Sequence, residues 1–246
     1  MNLRKVYQIN QYKIYQIILV NDLTNRKEEL AELVGIILGD GSLYINKKYK
    51  IYQFVITGHI QHDREYFETF ILPMLERNFG KKFKFKFARK TNGIRIRSQN
   101  KSVIKKIVEL GIPIGNKLKN NVRIPDWIFS DKKLLRACIR GLIDTDGFVA
   151  NITGRNYSYI WFSSQISALQ ESFSKAMNIL GFKTSKWRVR DNSASQIFIG
   201  AKAMIEKYSE EISFNNPYHK QRFMLPSSSP VKDGGLSIAL ESFDKR

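Results

Sequence analysis

Cysteine is almost missing from this sequence: Cys138 is the only one in 246 residues. No disulfide can form within the chain, which excludes a small secreted scaffold held by crosslinks. Cys138 falls in an apolar helical pattern, where a lone thiol serves as a small core residue. Long apolar runs are absent too. No uninterrupted stretch could span a bilayer, and residues 17–20 are too short an apolar run, with no cleavage site behind them, to read as a signal peptide. The expected location is therefore intracellular: cytoplasm, nucleoid or organelle matrix. Acidic residues are scarce, with 22 Asp and Glu against 41 Lys and Arg, a net charge of +19. A hydrophobic content of 43% with 12% aromatics excludes a disordered polycation, since it can build a core. A folded chain this basic calls for a polyanionic partner, nucleic acid or an anionic membrane surface. Its cations lie on strand patterns and not along one amphipathic helix, which favours nucleic acid.

What is present, above all, is a repeat. Leu33 to Gly41 reads LVGIILGDG and Ile139 to Gly147 reads IRGLIDTDG. Each has Gly at its third position, an apolar pair after it, and Asp-Gly at its end. The offset of 106 residues from Asp40 to Asp146 also aligns Ile56-Thr57-Gly58-His59 with Phe162-Ser163-Ser164-Gln165, and Phe67 with Phe173. The register then shifts near residues 78–82, after which Ile94 and Ile96 are matched to Ile197 and Ile199.

Each half reads as helix, strand, strand, helix, strand, strand, helix. In the first, Leu30, Leu33, Val34, Ile37 and Leu38 share one helical face. Gly41 is placed to stop that helix. A second helix over residues 63–79 carries Phe67, Phe70, Ile71, Met74 and Leu75 on a face and should bend at Pro73. In the second half Ser167 and Gln170 have capping-box spacing. Residues 82–87 (KFKFKF), 94–97 (IRIR) and 186–190 (KWRVR) alternate strictly, so one face of each sheet should pack on helices while the other carries positive charge. The expected divisions are an N-terminal extension over 1–26, a first half over 27–115, a packed linker over 116–132, a second half over 133–225, and a Ser-, Gly- and Pro-rich mobile tail over 226–246.

Gly35 and Gly141 let two helices approach closely. If they do, Asp40 and Asp146 end side by side at helix C-termini, where the partial charge is already negative. Two carboxylates and several carbonyls there repel unless a cation sits between them, and hard oxygen donors suit Mg²⁺.

The paired motifs, Gly35-Ile36-Ile37-Leu38-Gly39-Asp40-Gly41 and Gly141-Leu142-Ile143-Asp144-Thr145-Asp146-Gly147, resemble those of the LAGLIDADG homing endonuclease family. The second is close to the family pattern. The first has Leu38 where the family often has an acid. The segment Ile124-Pro125-Asp126-Trp127-Ile128 resembles archaeal and intein-associated members, and the likeness covers residues 28–225. The resemblance implies an α+β fold of two pseudo-symmetric αββαββα halves with saddle-shaped antiparallel sheets. It implies a single-chain, monomeric enzyme that hydrolyses phosphodiesters in both strands of a long, asymmetric DNA target with two unlike half-sites. Mg²⁺ or Mn²⁺ would be held by Asp40 and Asp146 with the carbonyls of Gly39 and Thr145, and Ca²⁺ would bind without cleavage. His59, Gln165 and Lys202 match the family's water-organising side chains by position.

Outward hairpin residues are the candidate DNA contacts: Tyr44, Asn46, Lys48, Lys84, Lys86, Arg95 and Arg97 in the first half, and Asn151, Thr153, Arg155, Tyr157, Lys186, Arg188 and Arg190 in the second. Lys101, Lys117 and Lys220 are candidate phosphate contacts, Lys117 and Lys220 matching each other. Arg and Asn can read guanine and adenine edges, whereas Lys mostly neutralises phosphate. Two other readings compete: an intron RNA maturase using the same basic surface, and a DNA-binding protein that does not cleave.

Overall fold

The computed structural model describes residues 24–88, 91–151, 157–190 and 194–224. The expected N-terminal extension and C-terminal tail fall almost wholly outside these. The first helix, α1, spans residues 24–40 and is buried continuously from Ala31 to Gly39. It runs straight into β1 (Gly41–Asn46), followed by β2 (Ile51–His59). The next helix, α2, joins three pieces: Arg64–Tyr66, a π-helical turn Phe67–Ile71, and Leu72–Phe79. Pro73 sits at the start of the last piece. It lacks the N–H that an α-turn needs there, and the wider turn just before it absorbs the missing bond. Strands β3 (Phe85–Ala88) and β4 (Gly93–Ser98) and helix α3 (Lys101–Glu109) complete the half.

A short 3₁₀ turn, Asp126–Ser130, leads into the same order again: α4 (Lys132–Asp146), β5 (Gly147–Asn151), β6 (Ser158–Ser164), α5 (Ser167–Ile179), β7 (Arg188–Arg190), β8 (Ala194–Ile199), α6 (Lys202–Glu211) and a further helix α7 (Pro217–Met224). The sheets have identical antiparallel orders, β1-β2-β4-β3 and β5-β6-β8-β7. The 106-residue offset is exact in their pairing: Gly41 lies opposite Ile56, and Gly147 opposite Phe162. Beyond it the matching needs correction. Ile56 pairs with Ile96 and Phe162 with Ile197, so Ile96 and not Ile94 corresponds to Ile197. The slip is two residues, which preserves the facing of every side chain and so is invisible to alternation.

One apolar core runs through both halves. At its centre α1 and α4 cross with almost no space between their backbones. A β-carbon on Gly35 would stand 2.2 Å from the carbonyl oxygen of Cys138, and one on Gly141 2.3 Å from that of Glu32. Across this seam Arg140 donates to the buried Glu32 carboxylate at 2.5 Å, and Asn215 Nδ2 donates to its other oxygen at 2.6 Å.

Two local expectations are revised. The Ser167–Gln170 capping box does not form: Ser167 is the first helical residue, Gln170 reaches back to the carbonyl of Ser164, and Asn121 from the linker accepts the N–H of Ala168. The linker thus closes the end of α5, which a local motif could not show. Residues 82–84 are not strand, because Lys82 and the Phe83 N–H are held by Glu76 and β3 begins only at Phe85. Gly41 ends α1 as expected, and Gly147 ends α4 in extended geometry (φ −97°, ψ 173°), the chain passing directly into the sheet in both halves.

Candidate functional site

The seam delivers the C-termini of α1 and α4 to one place. Gly39 faces Thr145: a β-carbon there would lie 2.1 Å from the Thr145 hydroxyl and 3.4 Å from the Asp146 carboxyl carbon. The absent side chain therefore leaves room for Asp146 beside Asp40. Burial is the main cause that lifts the Asp40 carboxyl to about 7, with Asp146 and then Asp63 adding repulsion and Lys117 opposing. Burial likewise lifts Asp146 to about 6, again opposed by Lys117. Two crowded carboxylates with raised proton affinity are a site that wants a cation.

Lys117 partly answers that want. Its Nζ donates to the carbonyl of Leu38 at 2.8 Å and to that of Gly39, capping α1. Burial lowers its proton affinity while the two aspartates raise it. The sequence pointed to Lys117 as a phosphate contact matched to Lys220, and the structure separates the two. Lys220 is exposed on α7, whereas the group that caps α4 is Asn216, whose Nδ2 donates to the Asp144 carbonyl at 3.1 Å. A lysine therefore serves one half and an amide the other.

Asn216 Nδ2 also donates to Asp63 Oδ1, and the His59 N–H donates to Asp63 Oδ2 at 2.7 Å. Both Asp63 oxygens are thus engaged, although the residue lies close enough to perturb Asp40. Asp144, the acid that the first motif lacks, accepts the N–H groups of Asn215 and Asn216 at 2.8 and 3.1 Å and anchors the start of α7. Asp63, Asn215 and Asn216 escaped the sequence reading, because the contacts that join them across the fold are 71 to 153 positions apart. Asp144 alone carried a signal, as the acid present in one motif and absent from the other.

Asp40 and Asp146 offer hard oxygen donors, which fits a small divalent cation. Among the described residues no group of three or more His, Cys, Asp or Glu could hold a metal. Two carboxylates are sufficient for Mg²⁺, which keeps several waters and takes remaining ligands from a bound phosphate. The Gly39 carbonyl, expected as a ligand, is engaged by Lys117. The Thr145 hydroxyl turns back to the carbonyls of Gly141 and Leu142.

His59 ends β2, its ring 4.6 Å from that of His62, and Gln165 lies exposed just past β6. Lys202 is not brought to the acidic pair. It opens α6 beyond the far end of β8 and pairs with Glu206 at 3.8 Å. Chain direction explains this, since β8 runs away from the seam. Lys101 similarly lies over the Tyr52 ring, on the helix side of its sheet.

The outward face of the first sheet carries Tyr44, Asn46, Gln53, Thr57, Lys86, Arg95 and Arg97, which settles its parity, and Lys84 is exposed just before β3. Lys48 is exposed in the hairpin turn. In the second sheet Arg188 lies on the outward register, Arg190 is paired with Ala194, and Lys186 is exposed just before them. Asn151 is corrected: it shares register parity with buried Val149 and accepts a bond from Ser158, so it faces the helices. Tyr157 stacks near Tyr159 at 6.1 Å. Thr153 and Arg155 lie outside the described residues.

The chain is a duplicated body whose halves meet at two Gly-bearing helices, each running into Asp-Gly. Residues 133–213 match the family model of the LAGLIDADG-like domain, and the described chain as a whole has the LAGLIDADG homing endonuclease fold. Mesophilic variants of the homing endonuclease I-DmoI align at 19% identity and a TM-score of 0.57, over 77% of this chain and 97% of theirs. I-DmoI in complex with DNA and Mn aligns at 20% identity and 0.55, over 76% and 97%. I-DmoI in complex with DNA and Ca aligns at 21% and 0.57, over 80% and 96%. No curated protein matches the chain.

Proposed function

We propose that this chain is a monomeric, site-specific DNA endonuclease that uses divalent metal to break both strands of a long target with two unlike half-sites. The observation that carries the reading is the meeting of the half-buried Asp40 and Asp146 at one seam, with Lys117 as their cationic neighbour. Mg²⁺ or Mn²⁺ on these carboxylates would activate water and stabilise the leaving oxygen of a phosphodiester, and Ca²⁺ would occupy the same donors without cutting. The complexes of I-DmoI with DNA and Mn or Ca support this by likeness of fold.

The chain's own residues do the rest. Asp40 and Asp146 each come from one half and address one strand. Lys117 offsets negative charge at the end of α1, where carbonyl dipoles and a phosphate would otherwise repel. His59 and Gln165, matched positions at the ends of β2 and β6, flank the seam where an attacking water or a phosphate would lie. Lys84, Lys86, Arg95, Arg97, Arg188 and Arg190 supply the phosphate and base contacts of the two faces.

The test is a randomised plasmid pool incubated with the protein in Mg²⁺. The expected result is linear product from the native chain and none from Asp40→Asn or Asp146→Asn, with duplex still retained in Ca²⁺. Full cleavage by either variant overturns the reading. So does tight binding of intron RNA that is indifferent to both substitutions, the outcome that would make the chain a maturase.

A further inference from the structure

We propose that the second half recognises its half-site chiefly through the 5-methyl groups of thymine, by a ladder of aromatic rings that replaces the polar surface of the first half. This rests on the reading of the outer sheet faces as DNA-binding.

The matched registers allow a position-by-position comparison. One cross-strand row of the first sheet is Ser42, Val55 and Arg97. The corresponding row of the second is Phe148, Trp161 and Phe198. Next to it, Gln53 of the first sheet becomes Tyr159 of the second. Two polar residues, an arginine and a valine have become four rings at the same place in the fold. Just inward of it lie Ser163, Gln196 and Arg188, where the first half has Thr57, Arg95 and Lys86, so the rings are bordered by groups suited to nucleic acid.

The core does not need these rings. Phe162, Phe173 and Trp187 pack the opposite face of the sheet, with Phe162 and Phe173 stacked at 4.3 Å. The outer rings are only half-buried, largely by one another. Phe148 stacks on Trp161 at 5.6 Å and 4°, Trp161 meets Phe198 at 4.6 Å, and Phe198 stacks on Tyr159 at 5.4 Å and 12°. A side chain on Gly200 would strike both Phe198 and Tyr159 within 3 Å, so that position keeps the stack clear.

This geometry selects the occupant. A stacking platform for single-stranded bases must present open ring faces. Here the faces are largely spent on each other across the strands, which leaves ring edges and not open faces for a ligand. In the major groove the one apolar group on a base edge is the thymine methyl. Each methyl buried there is worth roughly fourfold in affinity, from about 0.8 kcal/mol per buried carbon.

The experiment uses the full chain in Ca²⁺ and a randomised duplex pool. The best retained duplex is resynthesised with deoxyuridine for thymine in one half-site or the other. The expected result is a loss of about fourfold per methyl in one half-site and little change in the other. Phe198→Ser should weaken the thymine duplex by a similar factor and make it indifferent to deoxyuridine. Tyr159→Gln, which installs the first-half residue at a half-buried position, gives a second variant, and the melting temperature of each reports folding. Indifference to deoxyuridine in both half-sites overturns the proposal while leaving the nuclease reading intact. So does preferential retention of single-stranded RNA that Phe198→Ser abolishes. Failure to retain any duplex removes the nuclease reading, and the thymine ladder with it.

Discussion

Replacing Asp40 by Asn should stabilise the metal-free protein while removing its cleavage activity. The carboxyl is lifted from 3.8 to about 7 by burial and by Asp146. A folded value above the unfolded one means that folding is penalised wherever the unfolded chain would ionise this group and the folded chain resists it. The penalty is absent below about pH 4, grows as pH rises, and is complete above about pH 7. The rise from 3.8 to about 7, at about 1.4 kcal/mol per tenfold in proton affinity, gives a ceiling of about 4 kcal/mol. Partial access of water to the site roughly halves this, to about 2 kcal/mol. For a chain of this size that is a rise of about 4–8 °C in Tm. The assay is thermal melting of Asp40→Asn and the native chain in EDTA, at pH 8 and at pH 4.5. The gain should be largest at pH 8 and much reduced at pH 4.5. A variant less stable than the native chain at pH 8 would refute the claim that the two acids are held together against their repulsion.

Arg140→Ala should cost about 3–5 kcal/mol in urea unfolding, because it strands the buried Glu32 carboxylate. Arg140→Ala with Glu32→Leu should recover much of that loss. Gly141→Val should prevent close crossing of α1 and α4, since even a β-carbon meets backbone at 2.3 Å; a loss above about 4 kcal/mol, read by urea unfolding, is expected. Asn121→Ala should cost about 1 kcal/mol by uncapping α5, and hydrogen exchange should show early opening at Ala168. Lys117→Met should lower the cleavage rate and steepen its dependence on Mg²⁺, because the neighbouring acids lose their resident positive charge; unchanged Mg²⁺ titration would remove Lys117 from the site.

The repeat and its Asp-Gly ends were legible because they are local: a helical face in Leu30 to Leu38, a glycine within it, and alternation in the strands. These gave the element order, the two halves and the central acids. Lys202 shows the limit of that logic. It follows a strand in the correct order, but the direction of β8 carries it away from the seam. Lys117 shows the converse, a linker residue expected at a phosphate that folding brings to the end of α1.

Periodicity, small residues and like charge act within a few positions, so composition and order alone fixed the duplication, the close crossing of two helices, and the pair of carboxylates at their ends. Which basic residue meets those acids was decided only in three dimensions, as was the engagement of Asp63 by Asn216 and the gathering of Phe148, Tyr159, Trp161 and Phe198 on one face. Those contacts join segments remote in the chain, and strand direction and register determine them.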